Sequence, residues 1–109
     1  MALSYKTAFS FQLNASAITL TSTTYVQVIN ASSIGNYQVG KLQYFNSTAQ
    51  VLVMAVSPGT SSTAYNLLSI PPTNNPVVIE MLVPANYNIF LKSLTANATS
   101  GEVTLDFFI

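Results

Sequence analysis

The chain ends in Glu102-Val-Thr-Leu-Asp-Phe-Phe-Ile109, where polar and apolar side chains alternate until Phe108. Successive side chains of a β-strand point to opposite faces of its sheet, so the pattern predicts a strand with one face on a core and the other on water. Tyr5–Leu13 alternates in the same way near the other end of the chain. Phe108 interrupts the polar side of the last strand, and we interpret it as part of a contact surface.

Short β-prone runs cut by Gly, Pro, Asn and Ser recur about every ten residues, which is typical of an all-β protein. Helical periodicity is absent, so we expect less than one turn of helix in any connection. The candidate strands are Tyr5–Leu13, Ala17–Leu20, Tyr25–Ile29, Lys41–Phe45, Val51–Val56, Ala64–Ile70, Val77–Val83, Asn88–Ser93 and Glu102–Phe108.

The size and the strand number together indicate the architecture. Residues 1–109 are one domain, and eight or nine strands of this length fit an antiparallel β-sandwich of about eight strands, with jelly-roll or Greek-key topology. An immunoglobulin-like sandwich is the near alternative, although the chain has no Cys and no Trp that would identify one.

Two runs, Val51–Val56 and Val77–Val83, do not alternate and are apolar on both faces. Such strands are either central and covered on both sides or packed on a neighbouring subunit. The outer face of a two-layer sandwich normally meets water, so we expect one of the two strands to face another protein. The candidate interface residues are Leu52, Met54, Val56, Val78, Glu80, Leu82 and Phe108.

The composition argues against catalysis. There is no Cys, His, Trp or Arg, and the formal net charge is zero. Disulfides and thiolate metal sites are therefore impossible, and we expect no enzyme activity, no cofactor and no metal. Three Lys are too few for a nucleic-acid or anionic-membrane footprint. The charged residues are Lys6, Lys41, Lys92, Glu80, Glu102 and Asp106.

The three carboxylates do not form an obvious pair. Glu102 and Asp106 share a face of the last strand at a separation of roughly 13 Å, which is too far for a glycosidase pair, although Glu80 could approach either across strands. Glu80 interrupts an apolar run, and we rank three interpretations of it. It guards the strand against aggregation, pairs with Lys41 or Lys92, or contacts a partner.

Four Asn-x-Ser/Thr sequons occur, at Asn14, Asn30, Asn46 and Asn97. The first residues carry no apolar segment like that of a signal peptide, and no run approaches the 18 apolar residues of a membrane span. We therefore expect a protein made in a cytoplasm, with the sequons unused.

The second half of the chain, roughly Leu42–Phe107, resembles small virion proteins of tailed bacteriophages. Those proteins are compact β-sandwiches that decorate or cement the capsid or sit at tail attachment points. The resemblance carries no catalytic residue to transfer. It lies in Tyr44-Phe-Asn-Ser-Thr-Ala49, Val51–Val56, Ile70-Pro-Pro72, Val77–Val83, Ile89-Phe-Leu-Lys-Ser-Leu-Thr-Ala96 and Thr99-Ser-Gly-Glu-Val-Thr-Leu105.

The resemblance and the composition together lead to a functional expectation. The chain is expected to be a structural protein of the virion, a capsid cement or decoration subunit that stabilises a phage head through protein–protein contacts. Its expected partners are the major capsid protein or another virion protein, and copies of itself in a homo-oligomer. A carbohydrate-binding or adhesin-like module, associated with a tail or fibre and using edge Tyr and Asn side chains, is the alternative.

Overall fold

The computed structural model describes residues 7–34, 36–60 and 63–109. Within these residues, eight strands and one short helix follow one another, so the expected all-β class is confirmed. The elements are β1 Thr7–Asn14, β2 Val26–Ile29, α1 Ala31–Ile34, β3 Val39–Asn46, β4 Leu52–Pro58, β5 Tyr65–Ile70, β6 Val77–Val83, β7 Tyr87–Ser93 and β8 Glu102–Phe108.

Most strand positions follow the sequence pattern, and β6 and β8 have the bounds that the pattern predicts. Ala17–Leu20 is not a strand, because only Leu20 forms a bridge, with Ala98. The helix α1 spans four residues, slightly more than the single turn that we set as the upper bound. The start of the predicted first strand, at Tyr5, lies outside the described residues.

The strands form two four-stranded antiparallel sheets. The first sheet has the order β1-β8-β3-β6, and the second has the order β2-β7-β4-β5. The first strand pairs with the last, the second with the seventh, the third with the sixth, and the fourth with the fifth. This nested pairing is the winding of a jelly-roll sandwich, one of the two topologies expected from the sequence.

The core lies between the two sheets and takes every second residue of most strands. In β8, for example, Val103, Leu105 and Phe107 are completely buried, while Glu102 is exposed. The largest fully buried side chains also include Leu42, Leu91 and Ile89. The alternation of the last strand therefore sorts its side chains between core and surface as predicted.

The central strand β4 is covered on both faces by its own chain. Leu52, Met54 and Val56 point into the core, and Val53 and Ala55 on the opposite face are buried too. The expectation that Leu52, Met54 and Val56 could meet a partner is therefore corrected, since a partner cannot reach side chains that are at most 1% exposed. A strand in the middle of a sheet has neighbours on each side whose side chains shield its outer face.

The Tyr25 side chain lies over that outer face. Its ring stands 5.7 Å from the Phe90 ring, the Lys92 ammonium lies 4.8 Å from the Tyr25 centroid, and its hydroxyl donates to Asn66 Oδ1 at 3.3 Å. Phe90 and Lys92 belong to β7 and Asn66 to β5, which flank β4 on its two sides. The Tyr25 side chain therefore crosses β4 and shields its outer residues from water.

The buried amide of Asn46 pins the connections at one end of the sandwich. Its Nδ2 donates to the carbonyls of Gln50 and Ile70 at 3.0 Å each, and its Oδ1 accepts from Thr48. Gly101 closes against the same region with φ of 94°, where a Cβ would lie 2.7 Å from the Ser47 carbonyl oxygen. These contacts fix how the ends of β3 and β8 leave the first sheet.

Candidate interaction surface

The outer face of the first sheet is the surface with the most unusual composition. It is formed by the residues of β1, β8, β3 and β6 that point away from the core, and we call it the acidic face. Rows of side chains run across it, and one row places Phe108, Lys41 and Glu80 side by side on three neighbouring strands. The other members are Ser10, Gln12, Gln43, Phe45, Val78, Leu82, Glu102, Thr104 and Asp106.

All three carboxylates of the chain are on the acidic face. Glu80 and Glu102 are exposed, whereas Asp106 is half-buried and accepts a hydrogen bond from the Ser10 hydroxyl at 2.5 Å. Lys41 occupies the register position opposite Glu80, which fits the second interpretation of that carboxylate. Lys92 cannot reach it, because Lys92 is on the outer face of the second sheet.

The separation of the carboxylates argues against a catalytic pair. Glu80 is on β6, and β3 lies between it and the strand that carries Glu102 and Asp106. Two strand spacings amount to about 10 Å, beyond the roughly 5–9.5 Å of glycosidase carboxylates. Glu102 and Asp106 also lie four positions apart on β8, as the sequence indicated.

Apolar side chains interrupt the acidic face along the edge strand β6. Val78 is 52% exposed and Leu82 is 61% exposed, and both flank Glu80 on the same side of the strand. Phe45 and Phe108 contribute half-buried rings. The structure therefore brings together four of the seven candidate interface residues, Val78, Glu80, Leu82 and Phe108, while it places the three from β4 in the core.

The sequence pattern could not reveal two parts of this surface. Phe45 joins it because β3 pairs with β8, opposite Thr104. The clustering of the three carboxylates depends on β6 and β8 lying in the same sheet, which is a consequence of the winding. Alternation within a strand assigns a side chain to one face or the other, but it does not indicate which strands share a sheet.

Two clefts on the described part of the surface are open and mostly polar. One of about 310 Å³ lies where β1 ends and β8 begins, lined by Gln12, Asn14, Glu102 and Thr104 around Leu13 and Val103. Exposed Tyr37 and Tyr65 belong to the opposite end of the sandwich, next to the connections that follow β2 and β4. Hydrogen-bonding groups and stacking rings are thus separated. The described residues contain no group of three or more His, Cys, Asp or Glu that could hold a metal ion.

The sequons have a local structural role. At Asn14, Asn30 and Asn46 the asparagine Oδ1 accepts a hydrogen bond from the backbone N–H two residues later, at 2.9 Å in each case. This is the Asx turn, in which an asparagine side chain imitates a turn of the backbone. Asn30 also directly precedes α1, and its carbonyl accepts from the N–H of Ile34, the last residue of that helix. At Asn30 and Asn46 the hydroxyl two residues later donates to the same Oδ1, so in these two sequons the Asn and the Ser or Thr serve one turn together.

No family model and no curated protein sequence matches the chain. Among solved structures, PRD1 vertex protein P5 has a TM-score of 0.50 and 11% identity, over 92% of this chain and 94% of that one. A mitogen of Yersinia pseudotuberculosis has a TM-score of 0.48 and 11% identity, over 92% and 83%. A pentameric capsid protein from metagenomic phage sequences has a TM-score of 0.41 and 14% identity, over 92% and 63%. At this identity, the likeness to the vertex protein shows a shared fold.

The part of the chain that the structure describes has no helix long and apolar enough to span a membrane.

Proposed function

We propose that this chain is a non-enzymatic structural protein of a virus particle, a cement or decoration subunit that stabilises a capsid by protein–protein contact. The observation that carries the proposal is the acidic face, where Val78 and Leu82 remain exposed on an edge strand of a folded sandwich. Exposed apolar side chains grouped on the edge strand of a sheet are typical of a surface that another protein covers.

The composition supports a contact role over a catalytic one. Only 6% of the residues are charged, and a surface rich in neutral hydroxyls and amides tolerates permanent contact with other proteins. The sandwich shares its fold with a vertex protein, PRD1 P5, and the sequence resembles small virion proteins of tailed bacteriophages. Because a shared fold alone does not assign a role, the proposal rests mainly on the acidic face.

Particle composition tests the proposal directly. Particles of the virus that encodes this chain would be purified through a density gradient and quantified by mass spectrometry. We expect the chain at a fixed ratio to the major capsid protein. Particles from a deletion mutant should release their genome at a lower temperature than wild-type particles. Absence of the chain from purified particles would refute the proposal.

A carbohydrate-binding or adhesin-like module is the second candidate, favoured by the exposed rings of Tyr37 and Tyr65. Those rings lie at the opposite end of the sandwich from the polar cleft at Gln12 and Glu102, so the described residues do not combine stacking with hydrogen bonding in one site. A glycan array distinguishes the two functions. Binding of a defined oligosaccharide that is lost in Tyr37→Ala or Tyr65→Ala would favour the module.

A further inference from the structure

The acidic face differs in charge from the rest of the molecule. The whole chain has a formal charge of zero, yet among the described residues three carboxylates and one lysine, Lys41, lie on this one face, a formal charge of −2, while Lys6 lies outside the described residues. Lys92 lies on the outer face of the second sheet, against the Tyr25 ring. In the part of the chain that the structure describes, the winding therefore places all three carboxylates on one outer face and Lys92 on the other.

The acidic face also carries exposed apolar side chains on its edge strand. Val78 and Leu82 are four positions apart on the same side of β6, with Glu80 between them. Single exposed apolar residues are ordinary on protein surfaces. Two on one strand edge, next to the half-buried rings of Phe45 and Phe108, make a mixed apolar and anionic surface.

We propose that the acidic face docks on a Lys- or Arg-bearing, partly apolar surface of a different protein. The proposal rests on the proposed function and specifies its contact. Glu80, Glu102 and Asp106 would meet cationic side chains of the partner, while Val78 and Leu82 contact its apolar groups. Complementary charge selects the partner and orients it, and the apolar contacts retain it.

A second copy of this chain is a poor occupant of the same face. A two-fold axis would bring the face onto itself and oppose its three carboxylates with three others, which is unfavourable. The area of the acidic face also argues against a dimer formed through it. Four strands about 4.8 Å apart and seven residues long give about 450 Å² per partner, or about 900 Å² in total. This is below the roughly 1,200–2,000 Å² of stable free-standing complexes. One contact among several on an ordered particle fits that area.

The test uses capsid shells purified from a deletion mutant, so that the docking sites are vacant, and measures binding of the added chain by co-sedimentation. Glu80→Gln/Glu102→Gln removes two charges from the acidic face. Gln27→Lys/Ser69→Lys makes the same change in net charge on the outer face of the second sheet, where both residues are exposed. Far-UV circular dichroism and thermal melting confirm that each variant is folded.

We expect the acidic-face variant to bind about 3–20-fold more weakly than wild type, as two exposed ion pairs would give. The matched control should bind within about twofold of wild type. Leu82→Asp should weaken binding by about tenfold or more, and added salt should slow association more than it speeds dissociation.

Three outcomes would count against these expectations, and they are distinguishable. Failure of the wild-type chain to bind shells overturns the proposed function and this docking with it. Shell binding that is equal in all variants leaves the function standing and overturns the assignment of the face. A solution dimer of the wild-type chain that Leu82→Asp dissociates would make a second copy the occupant and overturn the choice of partner.

Discussion

Met54→Ala and Leu82→Ala form a matched pair that tests which apolar residues belong to the core. Met54 is completely buried on β4, whereas Leu82 is 61% exposed on β6. The sequence places both residues in strands that are apolar on both faces, so composition alone predicts that the two variants lose the same amount of stability. The burial of the two side chains in the structure predicts that Met54→Ala loses far more.

The expected loss of stability in each variant follows from the burial of the side chain that is removed. Removing the Met54 side chain takes away its transfer free energy and leaves a cavity, which should lower the free energy of unfolding by about 2–5 kcal/mol. Leu82→Ala removes side-chain atoms that are largely in water, so the expected change is within about 0.5 kcal/mol. A domain of this size has a total stability of about 5–15 kcal/mol, so both variants should still fold.

Urea unfolding followed by far-UV circular dichroism measures both variants against wild type. With an m value of about 1.5 kcal/mol/M, the Met54→Ala midpoint should fall by about 1–3 M, while the Leu82→Ala midpoint should barely move. Leu67→Ala, at a residue 41% exposed on the other sheet edge, is a second surface control. A larger loss for Leu82→Ala than for Met54→Ala would mean that β4 and β6 have been assigned to the wrong environments.

Three further predictions use the same unfolding assay. Asn46→Ala should lower the free energy of unfolding by about 1–3 kcal/mol, because the buried Ile70 carbonyl and the buried Thr48 N–H both lose the Asn46 side chain as a partner, and an unchanged stability would contradict this account. Tyr25→Phe should cost about 0.5–1.5 kcal/mol for its hydroxyl bond to Asn66, and Tyr25→Ala clearly more, because it also uncovers β4. Stability should be level from about pH 6 to 9, since the chain has no His or Cys, and should decline above about pH 10. Partial desolvation and a hydrogen bond with Tyr87 raise the pKa of Tyr65, so the unfolded chain releases that proton at a lower pH than the folded protein does. Tyr65→Phe should therefore reduce the loss of stability at alkaline pH. An unchanged loss would exclude Tyr65 as its source.

Local patterns in the sequence predicted the strands well, because a strand requires only a run of β-prone residues between breakers. Alternation in β8 correctly separated Val103 and Leu105 from Glu102. The Ala17–Leu20 strand was predicted wrongly for a physical reason. That segment has β-propensity, but apart from the single bridge between Leu20 and Ala98 it has no adjacent strand to pair with.

The environment of the two doubly apolar strands could not be read from their sequences. Val51–Val56 and Val77–Val83 have equivalent patterns, yet β4 is central in its sheet and β6 is at an edge. Strand order comes from long-range pairing, which leaves no periodic signal in either strand. The crossing of β4 by Tyr25 depends on the same long-range arrangement, since the tyrosine comes from the β1–β2 connection.

Glu80 shows how one residue can combine two of the interpretations that the sequence left open. An edge strand with exposed apolar side chains invites unwanted pairing with another copy, and a charge on it opposes such pairing. Pairing of β6 with β6 of another copy, centred on Glu80, would place two carboxylates directly opposite each other, which is destabilising. The same charge is attractive to a cationic partner surface. A carboxylate between Val78 and Leu82 can therefore oppose self-association and still permit docking on a different protein. A strand with the same apolar residues and no charge would not distinguish between these two kinds of contact.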